Sequence, residues 1–241
     1  MHHVSAILGH GTQVAATARI HRDVVTERHV VIRHGAVVGP RVRLLEGALV
    51  DVDAQIAPGA VVGPGARIGQ LARLSASVRV GTASRLGYGV ALALEAALEH
   101  DVVVGIGGQI GRRAQIGAYS RLGAFCSLGR DTRIGRGSTL GRGVVLGPGV
   151  VLPPRTELAR GTRITRSDEW MTLHVPGQTA PLTVVAAADA CRLHLDSESE
   201  PLPLDAAALE AATPTHAAAL EAALRGWLAA VRSRRKGGAP M

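Results

Sequence analysis

Ten histidines, two cysteines and 27 basic side chains, 26 of them arginine, are the groups in this 241-residue chain best suited to chemistry. An imidazole titrates near neutrality, so a well-placed histidine is the natural general base for an attacking amine or hydroxyl. His100 lies in the run Leu98-Glu99-His100-Asp101-Val102-Val103, with Glu99 and Asp101 near enough to orient or tune its ring. The alternative is a solvated histidine between two ordinary surface acids. Arginines recur 18 residues apart, as Arg112 with Arg130, Arg142 with Arg160, and Arg67 with Arg85. If each pair is brought close, the like charges repel, which calls for an anion between them or for good solvation. Cys126 and Cys191 form no disulfide framework and no paired metal knuckle. No phosphate loop, dinucleotide fingerprint or nucleophile elbow occurs.

What positions these groups is a repeat. Stepping by six from Leu8 to Ile164 gives 27 consecutive aliphatic positions with one exception, Thr26, and no insertion or deletion. The residue after each is glycine in 14 of the 27 hexads. The fifth position is small or β-branched, as at Ala54, Ala60, Ala66, Ser120, Cys126, Thr132 and Val144. A helix would space its apolar residues by three and four, and a plain strand by two. Six describes a short strand followed by a sharp turn, with glycine and proline beside the turn to relieve its strain. Three such strands close a triangular coil of 18 residues, so the run predicts about nine coils. Parallel pairing at about 4.8 Å makes a prism roughly 40 Å tall. His10, His34 and His100 then occupy coil corners, and Cys126 occupies an inward small position explained by packing.

The hexads V-G-P-G-A-R, L-G-P-G-V-V and I-G-x-x-A/S/T-x resemble the hexapeptide-repeat proteins of the left-handed parallel β-helix, over residues 8 to about 165. The resemblance implies a left-handed coil, usually a homotrimer, and sites in clefts between adjacent prisms. The His100 segment resembles the I-A-H-D/N-V-V-I-G stretch of acyltransferases in that family, in which a corner histidine is the general base. Their oxyanion donor, a backbone N–H one coil further on, maps to Ala118, where those enzymes often have glycine. The implied reaction moves an acyl group from a coenzyme A or acyl-carrier thioester, such as acetyl-CoA or acyl-ACP, to an amino or hydroxyl group of a sugar-like acceptor. Arg142 and Arg160, nearest the C-terminal coils, are the candidates for the cofactor phosphates. The γ-class carbonic anhydrases share the fold, but His29 and His34 depart from that family's phase, and His3 and His21 lack a third partner. No metal site is expected. A non-catalytic scaffold is the competing reading, because the hexad series lacks the inserted loop that covers the cleft in many of the enzymes.

Composition agrees with a narrow interior. The chain is 46% hydrophobic but has only five aromatic rings, so Val, Ile, Leu and Ala must fill the core. Residues 1–165 carry 20 basic and 10 acidic side chains, a net +10, which favours an anionic small molecule or an acyl carrier as partner. Arginines spread around the prism with almost no aromatic interleaving disfavour nucleic acid. No apolar run is long enough to span a membrane and no leader pattern opens the chain, so a cytoplasmic protein is expected. Residues 166–241 form a separate C-terminal appendage. It comprises a hairpin from 169–175 and 181–186 around a P-G-Q-T-A turn, then a helix over about 214–233. The helix opens at Thr213-Pro214 and carries Leu220, Leu224, Trp227, Leu228 and Val231 on one face. The fold class is thus mainly β: a left-handed parallel β-helix prism with a small hairpin-plus-helix appendage.

Overall fold

The computed structural model describes residues 6–165 in full, together with the backbone of four short strands between residues 170 and 203. From Gln13–Val14 onward each hexad contributes a two-residue strand whose first side chain faces outward and whose second faces the core, as in Arg43–Leu44 and Gln109–Ile110. The strands stack into three parallel sheets of nine, nine and eight members. An isolated bridge between Ile7 and Val25 extends the eight-stranded sheet. The first face begins at Gln13–Val14, the second at Arg19–Ile20 and the third at Val25–Thr26. Every strand pairs with the strand 18 residues away, for example Leu74 with Leu92 and Arg67 with Arg85. The product is a three-sided parallel β-helix.

Its interior is a column of aliphatic side chains alternating with small ones. Leu44, Ile68, Ala48, Ala54 and Ala66 are all fully buried. Burying a side chain such as Leu or Ile stabilises by about 1.5–3 kcal/mol, and stacking makes each coil depend on its neighbours. Thr26, the one polar intruder in the aliphatic series, is also buried; its hydroxyl accepts a hydrogen bond from the Gly9 N–H at 3.0 Å. The helix-prone run Val90 to Glu99 stays in phase, forming strands Ala91–Leu92 and Ala97–Leu98. Tertiary pairing overrides local propensity there.

The turns correct one expectation. Positive φ falls on the fourth residue of the hexad, three after the aliphatic one, and among the described residues 14 non-glycine residues adopt it against 11 glycines. Its N–H donates to the carbonyl of the third hexad residue one coil below, as from Asp101 to Thr82 at 2.8 Å and from Tyr119 to His100 at 3.1 Å. The glycines that follow the aliphatic position have a different purpose. A Cβ on Gly81 would lie 2.4 Å from the Glu99 carbonyl carbon and oxygen, and 2.7 Å from the His100 nitrogen. They make room for the next coil rather than for an unusual turn.

In the C-terminal part, Trp170–Leu173 and Leu182–Ala186 pair antiparallel with Trp170 opposite Val185, which is the expected hairpin. Cys191–His194 and Leu202–Pro203 extend it to four strands. The expected helix over 214–233 lies outside the described residues.

Candidate functional site

Strand Ala97–Leu98 of the third face delivers the chain to a corner, and strand Val103–Val104 of the first face carries it away. His100 and Asp101 are the two tip residues of that corner. Asp101 has φ 56°, which turns the chain and brings its carboxylate back beside the ring. Nδ1 of His100 lies 3.0 Å from Oδ2 of Asp101, with both side chains about half exposed. A carboxylate only accepts, so Nδ1 carries the hydrogen and Nε2 is left as the basic nitrogen. One coil up the same edge, Tyr119 meets the imidazole edge to face, with ring centres 4.7 Å apart and planes at 89°. Above it, the Arg136 guanidinium carbon sits 4.9 Å from the Tyr119 ring centre.

Ala118 is buried, and its N–H is engaged: it donates to Oε2 of Glu99 at 2.9 Å. The amide therefore can bind an anionic oxygen, and its present occupant is a side chain of the same corner. Beneath, the Ser84 hydroxyl donates to the Glu99 carbonyl at 2.9 Å and accepts from the Val102 N–H at 3.1 Å. Ser84 thus pins the backbone on both sides of His100. Two hollows adjoin the corner and share Arg136. One, of about 360 Å³, runs from Glu99 past Gln115 and Gly117 to Arg133. The other, of about 570 Å³, is lined by Tyr119, Arg136, Gly137, Pro154 and Arg155.

The remaining candidates are dispersed. Arg142 and Arg160 follow strands of the first face, so they stand on the first–second edge, whereas His100 stands on the third–first edge. Within one chain the structure does not bring them together. Arg142 instead stacks over Phe125, with its guanidinium carbon 5.2 Å from the ring centre. Arg112 and Arg130 occupy the second–third edge. There Arg113 grips Asp131 through two hydrogen bonds of 2.7 and 3.0 Å. That contact, aided by the charges of Arg130 and Arg112, holds the Asp131 carboxyl below the usual range and outweighs desolvation. Cys126 is buried, its thiol directed to the Gly141 carbonyl at 3.2 Å, and burial pushes its pKa up. Packing accounts for it.

His29 and His34 lie on different edges; His29 approaches His10 at 6.3 Å between ring centres, and His34 approaches the Thr17 hydroxyl at 3.3 Å. Among the described residues no group of three His, Cys, Asp or Glu side chains could hold a metal ion. Among the same residues no helix is long and apolar enough to cross a membrane.

Tyr119, Arg136 and Arg155 were not singled out by sequence reasoning. The signal was available in the repeat: stepping by 18 from His100 leads through Ala118 to Arg136, with Tyr119 and Arg155 beside that column.

No family model and no curated protein sequence matches the chain. Several solved structures resemble it. PerB from Caulobacter crescentus, in complex with CoA and GDP-perosamine, is 20% identical, with 52% of this chain and 51% of that chain covered and a TM-score of 0.36. The acetyltransferase domain of PglB from Neisseria gonorrhoeae, in complex with acetyl coenzyme A, is 21% identical over 46% of this chain and 54% of its own, with a TM-score of 0.35. The UDP-N-acetylglucosamine O-acyltransferase LpxA from Moraxella catarrhalis is 13% identical over 57% and 69%, with a TM-score of 0.42. The matched part spans about half the length of the first two. At these identities and superpositions no residue role passes from them to this chain.

Proposed function

We propose that this chain is an acyltransferase in which His100 removes the proton of an amino or hydroxyl acceptor as that group attacks a thioester carbonyl. The observation that carries the reading is the 3.0 Å contact of His100 Nδ1 with Asp101, which leaves Nε2 as the base. Tyr119 packs edge to face against the ring and limits its rotation. The new bond forms between the acceptor and the carbonyl carbon, the carbon–sulfur bond breaks, and the imidazolium returns its proton to the leaving thiolate. The Ala118 N–H is the donor we assign to the oxygen that becomes anionic. Glu99 Oε2 now stands where that oxygen would come, so Glu99 must swing aside during turnover.

The thioester would be that of coenzyme A, such as acetyl-CoA, or of an acyl carrier protein, and the acceptor sugar-like. Arg142 and Arg160 lie one edge away, so they would serve His100 from a neighbouring copy in a homotrimer. The first–second edge suits such a contact. Leu71, Tyr88, Ile106 and Phe125 project from four successive coils there, each at least 40% exposed, on a prism that otherwise repels its copies through a net positive charge. Ile106→Asp is expected to shift the protein to monomer in sedimentation, and an unchanged trimer would count against this edge.

The deciding experiment is thermal unfolding with coenzyme A and acetyl-CoA, against matched inorganic phosphate. A ligand at 100 times its dissociation constant adds about 2.7 kcal/mol, which moves the midpoint by several degrees. A shift specific to the coenzyme supports the transferase. The competing scaffold reading is favoured by one observation, the hexad run that is unbroken by any insertion from Leu8 to Ile164. Neither a shift nor thioester turnover with any donor would select it.

A further inference from the structure

We infer that Arg136 and Arg155 form a phosphate-binding site on the His100 edge, and that the phosphate belongs to the acceptor. The assignment to the acceptor rests on the proposed reading of His100 as base. The site itself rests on geometry. Arg136 and Arg155 line one hollow of about 570 Å³ with Tyr119, Gly137 and Pro154, a lining with two guanidinium groups and no carboxylate. Among the described residues neither arginine forms an ion pair, whereas Arg33 and Arg113 do. Backbone geometry holds the two together: the Arg155 N–H donates to the Arg136 carbonyl at 2.8 Å. Arg136 is further braced by the Tyr119 ring. A Cβ on Gly117 would lie 2.6 Å from the Arg136 nitrogen, so glycine there lets this corner settle onto the coil below. Two guanidinium groups in an open, aromatic-walled hollow match the planar, multidentate demands of a phosphate or diphosphate.

Distance selects the acceptor. The Arg136 guanidinium can be no farther from the imidazole centre than the two steps of 4.7 and 4.9 Å through Tyr119 combined. A sugar hydroxyl or amine and a phosphate ester on the same ring span a gap of that order. A pantetheine arm, with its two amides, holds a thioester much farther from the nearest phosphate when extended. The ligand class is therefore a sugar phosphate or its diphosphate, with the acceptor group at His100 and the phosphate between Arg136 and Arg155.

The test uses inorganic pyrophosphate, titrated calorimetrically into the full chain at fixed ionic strength. Wild type and His100→Asn are expected to bind it alike. Arg136→Gln/Arg155→Gln is expected to lose at least tenfold in affinity. Arg112→Gln/Arg130→Gln, which removes the same charge from another edge, is expected to stay within twofold. No binding by wild type, or an equal loss in both double variants, would overturn the site. A repeat titration with coenzyme A at saturation separates the sources. Retained pyrophosphate binding supports the acceptor, and displacement assigns the phosphate to the donor and overturns that half of the inference. Turnover by His100→Asn equal to wild type would instead sink the base, whatever the titration showed.

Discussion

The third–first edge builds the same small device twice, four coils apart. In the lower copy, Oε2 of Glu27 accepts from the Glu46 N–H at 3.1 Å; in the upper, Oε2 of Glu99 accepts from the Ala118 N–H at 2.9 Å. Each glutamate stands directly on a glycine. A Cβ on Gly9 would lie 2.3 Å from the Glu27 oxygen, and one on Gly81 would lie 2.4 Å from that of Glu99. Each glutamate carbonyl accepts from a hydroxyl of the coil below, Thr12 at 3.2 Å or Ser84 at 2.9 Å. The side chains around the device differ. Arg28 and His29 flank the lower glutamate where His100 and Asp101 flank the upper, and Glu46, Gly47 and Pro64 stand where Ala118, Tyr119 and Arg136 do. A carboxylate on a corner amide is thus a property of the coil, which by itself signals no catalysis. What distinguishes the upper copy is an imidazole with an acid on Nδ1, an aromatic ring against it and an arginine above.

The comparison breaks most sharply at its chemical residue. His100→Asn is expected to lower turnover by about 10²–10⁴-fold, the usual worth of a general base, while the thermal shift with coenzyme A persists. Arg28→Asn, the same position in the lower copy, is expected to leave turnover within twofold. Equal rates in wild type and His100→Asn would reduce the upper copy to a structural turn like the lower. Next in size are the supporting glycines. A methyl pushed into backbone cannot be relieved by a rotamer change, so Gly81→Ala is expected to cost at least about 2–3 kcal/mol in denaturant melts. Gly9→Ala is expected to cost about as much, because its Cβ would meet the Glu27 carbonyl as closely as one on Gly81 meets that of Glu99. A clearly smaller loss at Gly9 would mean that the lower copy of the device yields where the upper does not.

The sequence revealed the coil more readily than the site, and the reason is geometric. The inward aliphatic position repeats without a gap, and each residue in it is constrained by burial, so a period of six survives in composition. Corner residues are exposed and free to vary, and their meaning lies in which edge they share. Counting coils placed Arg142 and Arg160 near the C-terminal end, yet the edge is set by position within the 18-residue turn, and theirs is not the edge of His100. Tyr119 and Arg136 are on that edge, one step of 19 residues and two steps of 18 from His100 along the register. Asp101 was legible because it is the next residue. The grip of Glu99 on Ala118 was not, because it needs a rotamer as well as a register. In the C-terminal part the turn P-G-Q-T-A announced the hairpin, whereas the two-residue strand Leu202–Pro203 is too short to show alternation.

Two smaller effects sharpen the contrast. Ser84 is fully buried and satisfies two backbone groups, so Ser84→Ala is expected to cost about 1–3 kcal/mol. Thr12 makes its bond to Glu27 at an exposed site, and Thr12→Ser, which keeps the hydroxyl, is expected to be nearly neutral. A further small difference lies between the glutamates themselves. Glu27→Ala frees the exposed Glu46 amide and Glu99→Ala the part-buried Ala118 amide, so both stability losses are expected at about 1 kcal/mol, the second somewhat the larger. Turnover is where they should part. If Glu99 only holds the Ala118 N–H between cycles, its removal leaves that amide open to the developing oxyanion, and the rate is unchanged or raised. Glu27→Ala leaves the rate alone because no base stands beside Glu46. A fall in turnover for Glu99→Ala beyond about threefold, with Glu27→Ala unaffected, would show instead that Glu99 takes part in positioning His100. The amide of Ala118 would then lose its assigned role as oxyanion donor, since its partner would be needed in place during the reaction.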